Sequence, residues 1–116
     1  MWRLKFEYSP SAANAWHALQ DRFPNGHISK TSGAVYYAVT KSEEEDLAKG
    51  NLSVPGFKIT KIAGYPRDSY FCCYDNVHES TLGLIFRIKP KRNLFVVEEL
   101  YEGPEAPKEI VRSYAA

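Results

Sequence analysis

The chain has almost no net charge: fifteen Lys and Arg stand against fourteen Asp and Glu in 116 residues. That balance argues against a strongly basic nucleic-acid binder and against an acidic mimic. Long apolar runs are missing too. A membrane helix needs about eighteen consecutive apolar residues, and no stretch approaches that. The first eight residues, Met1-Trp2-Arg3-Leu4-Lys5-Phe6-Glu7-Tyr8, alternate in polarity and hold no apolar segment, so no secretory signal is expected there. Cysteine is scarce, limited to the adjacent pair Cys72 and Cys73. Neighbours on a strand point to opposite faces, so a bridge between them would demand a strained backbone. Two thiols packed as small hydrophobes are expected, in keeping with a reducing cytoplasm. In that compartment the sequon Asn51-Leu52-Ser53 would not be glycosylated.

Chemical signatures are equally thin. His17, His27 and His78 form no i, i+4 pair, and no CxxC or HxH is present, so neither a metal nor a cofactor is expected. There is no GxSxG elbow and no glycine-rich phosphate loop. A Cys72 or Cys73 thiolate paired with His78 is disfavoured, because both cysteines sit in an aromatic run where burial raises a thiol pKa. One enzymatic reading needs no signature. A small metal-independent RNase could use His78, Glu79, Arg87, Tyr70 and Tyr74 to stabilise phosphorane charge and shuttle a proton. These residue types are common on sheet surfaces, and a non-enzymatic role is the leading expectation.

What is present is an ordinary globular balance, 44% hydrophobic and 25% charged, with an aromatic share of 14% that includes eight Tyr. The length suits one domain, 1–116, able to bury roughly two-thirds of its unfolded surface. Trp2, Leu4, Phe6 and Tyr8 alternate with Arg3, Lys5 and Glu7, the pattern of a half-buried strand. Ser9-Pro10 supplies an N-cap and a first-turn proline. Ala12, Trp16, Leu19 and Phe23 then form one apolar helical stripe, ended by Pro24-Asn25-Gly26.

Further along, residues 27–31 and the β-branched, aromatic run Ala34–Val39 read as a hairpin about Ser32-Gly33. Ser42 and Glu45 form a capping-box pattern for a short helix closed by Lys49 and Gly50. After Pro55-Gly56 comes a strand, Phe57–Ile62. The resulting β-α-β-β-α-β order predicts a ferredoxin-like start. It is extended by an antiparallel C-terminal sheet (Tyr70–Tyr74, Leu82–Ile88, Leu94–Tyr101) and a short terminal helix within 105–114. The fold class expected is α+β.

That order is shared with the RNA recognition motif, whose central strand stacks bases on exposed rings. The residues do not follow its consensus. With Gly33 on the consensus glycine, Ala34 and Val39 occupy aromatic positions, so membership is not assigned. The cluster Arg87, Lys89, Lys91 and Arg92 around Pro90 still supports a nucleic-acid-binding alternative through a hairpin tip.

The leading expectation is a protein-binding module. Charge is segregated along the chain. Glu43–Asp46 and Glu98, Glu99, Glu102 and Glu105 form two acidic blocks, with a basic stretch from Lys58 through Arg67 to Arg92 between them. Eight tyrosines exceed what a core needs, and Tyr is enriched at interface hot spots. The candidate contact residues are Tyr36, Tyr70, Tyr74, Tyr101, Glu98 and Glu99. Both faces of the 94–101 strand are mainly apolar, which suggests a homodimer through the C-terminal strands. Compact chains of this kind include inhibitors and immunity-type proteins of phages and mobile elements, so action by occlusion is expected.

Overall fold

A computed structural model describes residues 4–23, 26–63, 69–75, 82–103 and 108–115. Trp2, Arg3, Tyr65, Arg67, His78, Glu79 and Glu105 lie outside the described residues, and with them part of the RNase constellation. The elements run β1 (Lys5–Tyr8), α1 (Pro10–Leu19), α2 (His27–Lys41), α3 (Glu44–Ala48), β2 (Phe57–Ala63), β3 (Ser69–Asp75), β4 (Leu82–Lys89), β5 (Leu94–Glu102) and α4 (Lys108–Ala115). The chain is an α+β protein built on one five-stranded sheet of order β1-β5-β4-β3-β2. Strands β2 to β5 form an antiparallel meander, and β1 joins β5 in parallel. No helix among the described residues is long and apolar enough to cross a membrane.

The ferredoxin-like arrangement is not what forms. The expected hairpin over 27–39 is instead the single helix α2, so the order begins β-α-α-α-β. Its buried residues Ile28, Ser32, Val35 and Val39 recur at helical spacing. That amphipathic period outweighs the β-branched and aromatic propensity of the segment. Ser32-Gly33, expected as a turn, lies inside the helix, with Ser32 Oγ donating to the Ile28 carbonyl at 2.8 Å. The Ser42 capping box does not form either. Ser42 ends α2 and donates its hydroxyl to the Ala38 carbonyl at 2.8 Å, which leaves Glu43 as the N-cap of α3 without a side-chain bond.

Other local signals behave as expected. Ser9 caps α1, accepting from the Ala12 amide at 3.0 Å, and Pro10 opens the helix. Gly50, at φ 79°, follows the end of α3 in the left-handed conformation. The loop between β4 and β5 is a tight 3-10 turn, Pro90–Arg92, closed by Asn93 at φ 53°.

Helices α1, α2 and α3 cover one face of the sheet. Ala12, Ile28, Val35, Val39 and Leu47 join Phe71, Leu84, Phe86, Phe95 and Val97 in one core. Stacked rings cross this face, Phe71 on Phe86 at 5.1 Å and Phe86 on Phe95 at 5.2 Å, with Phe6 and Tyr36 each 5.4 Å from Phe95. The second face carries α4, which packs on β2 and β3.

A bulge in β5 decides which side chains face which layer. Phe86 pairs with Val97 and Ile85 with Glu99, so Glu98 is an extra residue and the alternation inverts after it. Sequence alternation places Tyr101 with Phe95 and Val97, and Leu100 opposite. The bulge reverses this: Phe95, Val97 and Leu100 enter the core, while Val96, Glu99 and Tyr101 face α4's side. Strands β4 and β5 are interior strands, paired on both sides. Their second face, expected to be open to a partner copy, has a helix of the same chain beside it.

Candidate functional site

Strand pairing sets the second face out in rows. Lys5, Leu94 and Lys89 form one row across β1, β5 and β4. Glu7, Val96, Arg87 and Tyr70 form the next, reaching β3. Lys91 and Arg92 are exposed on the adjoining turn. The register therefore gathers Lys5, Arg87, Lys89, Lys91 and Arg92 at one end of the sheet. The four residues of the expected basic tip are brought together, and Lys5 joins them. Alternation marked Lys5 as outward-facing, but nothing local indicated that β1 would lie parallel to β5.

Carboxylates belong to this surface as well. Glu7 reaches Lys5 at 3.9 Å, a solvated pair of small energetic weight. Burial raises the Glu98 carboxyl above its ordinary range, against the opposing pull of Arg87 and Lys89, while neighbouring Glu99 adds to the rise. The Arg87 guanidinium lies over the Tyr70 ring, 4.8 Å from its centroid. Tyr70 in turn packs against Tyr114 of α4 at 5.2 Å.

Half of the expected protein-contact set, Tyr36, Tyr101 and Glu99, is engaged inside the fold. Tyr36 packs on Phe6 and Phe95 and donates its hydroxyl to the Leu4 carbonyl. Tyr101 is buried against Gly83, with its hydroxyl 3.2 Å from the Cys73 carbonyl and 3.2 Å from Cys72 Sγ. Burial is the main reason its phenol is pushed well above the usual range. Glu99 accepts from Ser11 Oγ at 2.8 Å and from the Tyr114 hydroxyl at 2.9 Å. Glu102 pairs with Arg22 at 2.5 Å. Two members of the second acidic block, Glu99 and Glu102, are thus engaged within the chain. Tyr70 and Tyr74 remain half-buried on the second face, Tyr74 in the row Tyr101-Gly83-Tyr74-Lys58.

The cysteines behave as packed thiols. Cys73 is buried in the core and its thiol is pushed strongly up by that burial, while Cys72 points to the opposite face. Among the described residues no cluster of His, Cys, Asp or Glu is arranged to hold a metal. An open cleft of about 340 Å³ lies between the end of α1 and the start of α2, lined by Trp16, Asp21, Phe23 and His27 among others. It includes none of the expected contact residues. No family model, curated protein or solved structure matches the chain.

Proposed function

We propose that the chain is a small non-enzymatic binding domain that docks a protein partner through the basic end of the second sheet face and acts by occlusion. The observation carrying this reading is the register that gathers Lys5, Arg87 and Lys89 beside Lys91 and Arg92. The partner surface it suits is acidic with some basic character, because Glu7 and Glu98 lie among the cations. Against nucleic acid, Tyr70 is poorly placed to stack a base, since its ring already meets Tyr114 and Arg87.

The exposed pair Lys91 and Arg92 favours a second reading, backbone contact with nucleic acid. Fluorescence anisotropy with labelled poly-L-glutamate and with single- and double-stranded oligonucleotides, at stepped salt, tests both. The expected result is binding of poly-L-glutamate that is lost on combined Lys89→Glu, Lys91→Glu and Arg92→Glu substitution. Tighter binding of the oligonucleotides, with a steep salt dependence, would replace the protein reading by the second one. Binding of neither probe would remove the basic end as a contact surface.

A further inference from the structure

The second face contains a chain of contacts that runs from α1 to the basic end. Ser11 Oγ donates to one oxygen of Glu99, and the Tyr114 hydroxyl donates to the other. The Tyr114 ring packs on Tyr70, and Arg87 lies over Tyr70. Glu99 occupies this position only because the bulge at Glu98 turns it to the second face. In the same row as Glu99 lie Ile85, wholly buried, and Cys72, half-buried on β3, one of the two strands on which α4 packs. Helix α4 has eight residues, too few for stability in isolation, so its order depends on this seat. Its half-buried side chains are Ile110, Val111 and Tyr114.

We infer that α4 is a strap whose seating through Tyr114 fixes Tyr70 and, through it, Arg87, so that docking of α4 and the shape of the basic end are coupled. Tyr114 is then a positioning residue for a cation it does not itself touch. A partner that engages Arg87 in its seated position must, by linkage, also hold α4 down. That consequence for binding rests on reading the basic end as a contact surface. The coupling does not, and its primary test needs no partner.

Two partner-free signals report it. The ¹⁵N relaxation of the Arg87 Nε–H group measures how firmly the guanidinium is held. The reaction of Cys72 with a thiol reagent measures how often α4 lifts, since Cys73 is buried in the core with a raised thiol pKa and contributes little. In Tyr114→Ala, Cys72 is expected to react about tenfold faster or more, through loss of both the ring contact on Tyr70 and a hydrogen bond to a charged group. Arg87 Nε–H should loosen in parallel. Tyr114→Phe and Glu99→Gln, which keep the ring contact, should move both signals the same way by less. Faster Cys72 reaction with an unchanged Arg87 signal would overturn the coupling. If neither signal moves, Tyr114 does not seat the helix and the inference also falls. Should Tyr114→Ala fail to fold, the two milder variants decide by the same criterion. Added poly-L-glutamate should slow Cys72 reaction in the parent protein. If poly-L-glutamate fails to bind while the two signals still move together, the binding reading is lost and the coupling stands.

Discussion

At the scale of single residues, two glycines make opposite demands. Gly83 faces the ring of Tyr101, and a Cβ there would fall 2.0 Å from Tyr101 Cε2. The ring has little freedom to retreat, because its hydroxyl is held at Cys73 and Cys72. Gly83→Ala is expected to cost about 1–3 kcal/mol or more in denaturant unfolding, as overpacking does. The cost should shrink in a Tyr101→Ala background; an equal cost in both would place the strain elsewhere. Gly33 is the converse case. It lies inside α2, and a Cβ there meets nothing within 4 Å. Gly33→Ala should stabilise by about 0.5–1 kcal/mol, because alanine gives up less backbone freedom on entering a helix. A loss of stability would contradict the helical assignment of this segment.

Glu98 gives a pH prediction with a definite sign. Its folded-state pKa lies above its ordinary 4.5, chiefly through burial. The folded protein therefore holds this proton more tightly than the unfolded chain does. The stabilising contribution is fully present below the unfolded value and is lost as pH rises through the folded one. Glu98→Gln escapes that loss, so its melting temperature should equal or exceed the parent's at pH 7. The difference should narrow on acidification towards about pH 4. A gap that widened on acidification would mean that Glu98 is held mainly by Arg87 and Lys89 rather than strained by burial.

At the scale of elements, legibility followed how local the deciding interaction was. Strand β1 and the start of α1 were readable because alternation, Ser9 and Pro10 act within a few residues. The turn at Pro55-Gly56 and the β4–β5 loop were readable for the same reason. Helix α2 was misread because its residue types and its periodicity pointed in different directions. Val35, Tyr36, Tyr37 and Val39 suit a strand, yet Ile28, Ser32, Val35 and Val39 make a helical stripe. The stripe prevails because it lets α2 bury one continuous edge against the sheet. The bulge in β5 has no local sequence signal, because both faces of 94–101 are mainly apolar. It reconciles a strand apolar on both faces with a two-sided domain, sending Leu100 to the core and Tyr101 to the other face. Of the candidate tyrosines, Tyr36 and Tyr101 are taken up inside the fold, while Tyr70 and Tyr74 stay half-buried on the second face.

At the scale of the whole molecule, the near-zero net charge conceals a directional distribution. The first acidic block stays at the start of α3, where the N-cap Glu43 and the helical Glu45 and Asp46 are exposed. From the second, Glu99 and Glu102 are drawn into contacts with Ser11, Tyr114 and Arg22. The turn cations Lys91 and Arg92 stay exposed, with half-buried Arg87 and Lys89 beside them, and gain Lys5. Charge that cancels in composition therefore does not cancel in space, and spatial separation is what steers association.

By itself the sequence determined the α+β class, the Ser9-Pro10 start of α1, the turns at Pro55-Gly56 and between β4 and β5, the strands of the meander and the apolar stripes that send Leu4, Phe6 and Ala12 inward. Each of these rests on polarity patterns or backbone preferences that span a few residues. Tertiary structure alone decided that β1 returns beside β5, where Ser9 meets Glu98 across 89 residues of chain. It also decided which face each half of β5 presents and which charged side chains remain outside. The physical reason is the same in each case. These outcomes depend on which distant surfaces bury each other, and no local pattern specifies that choice.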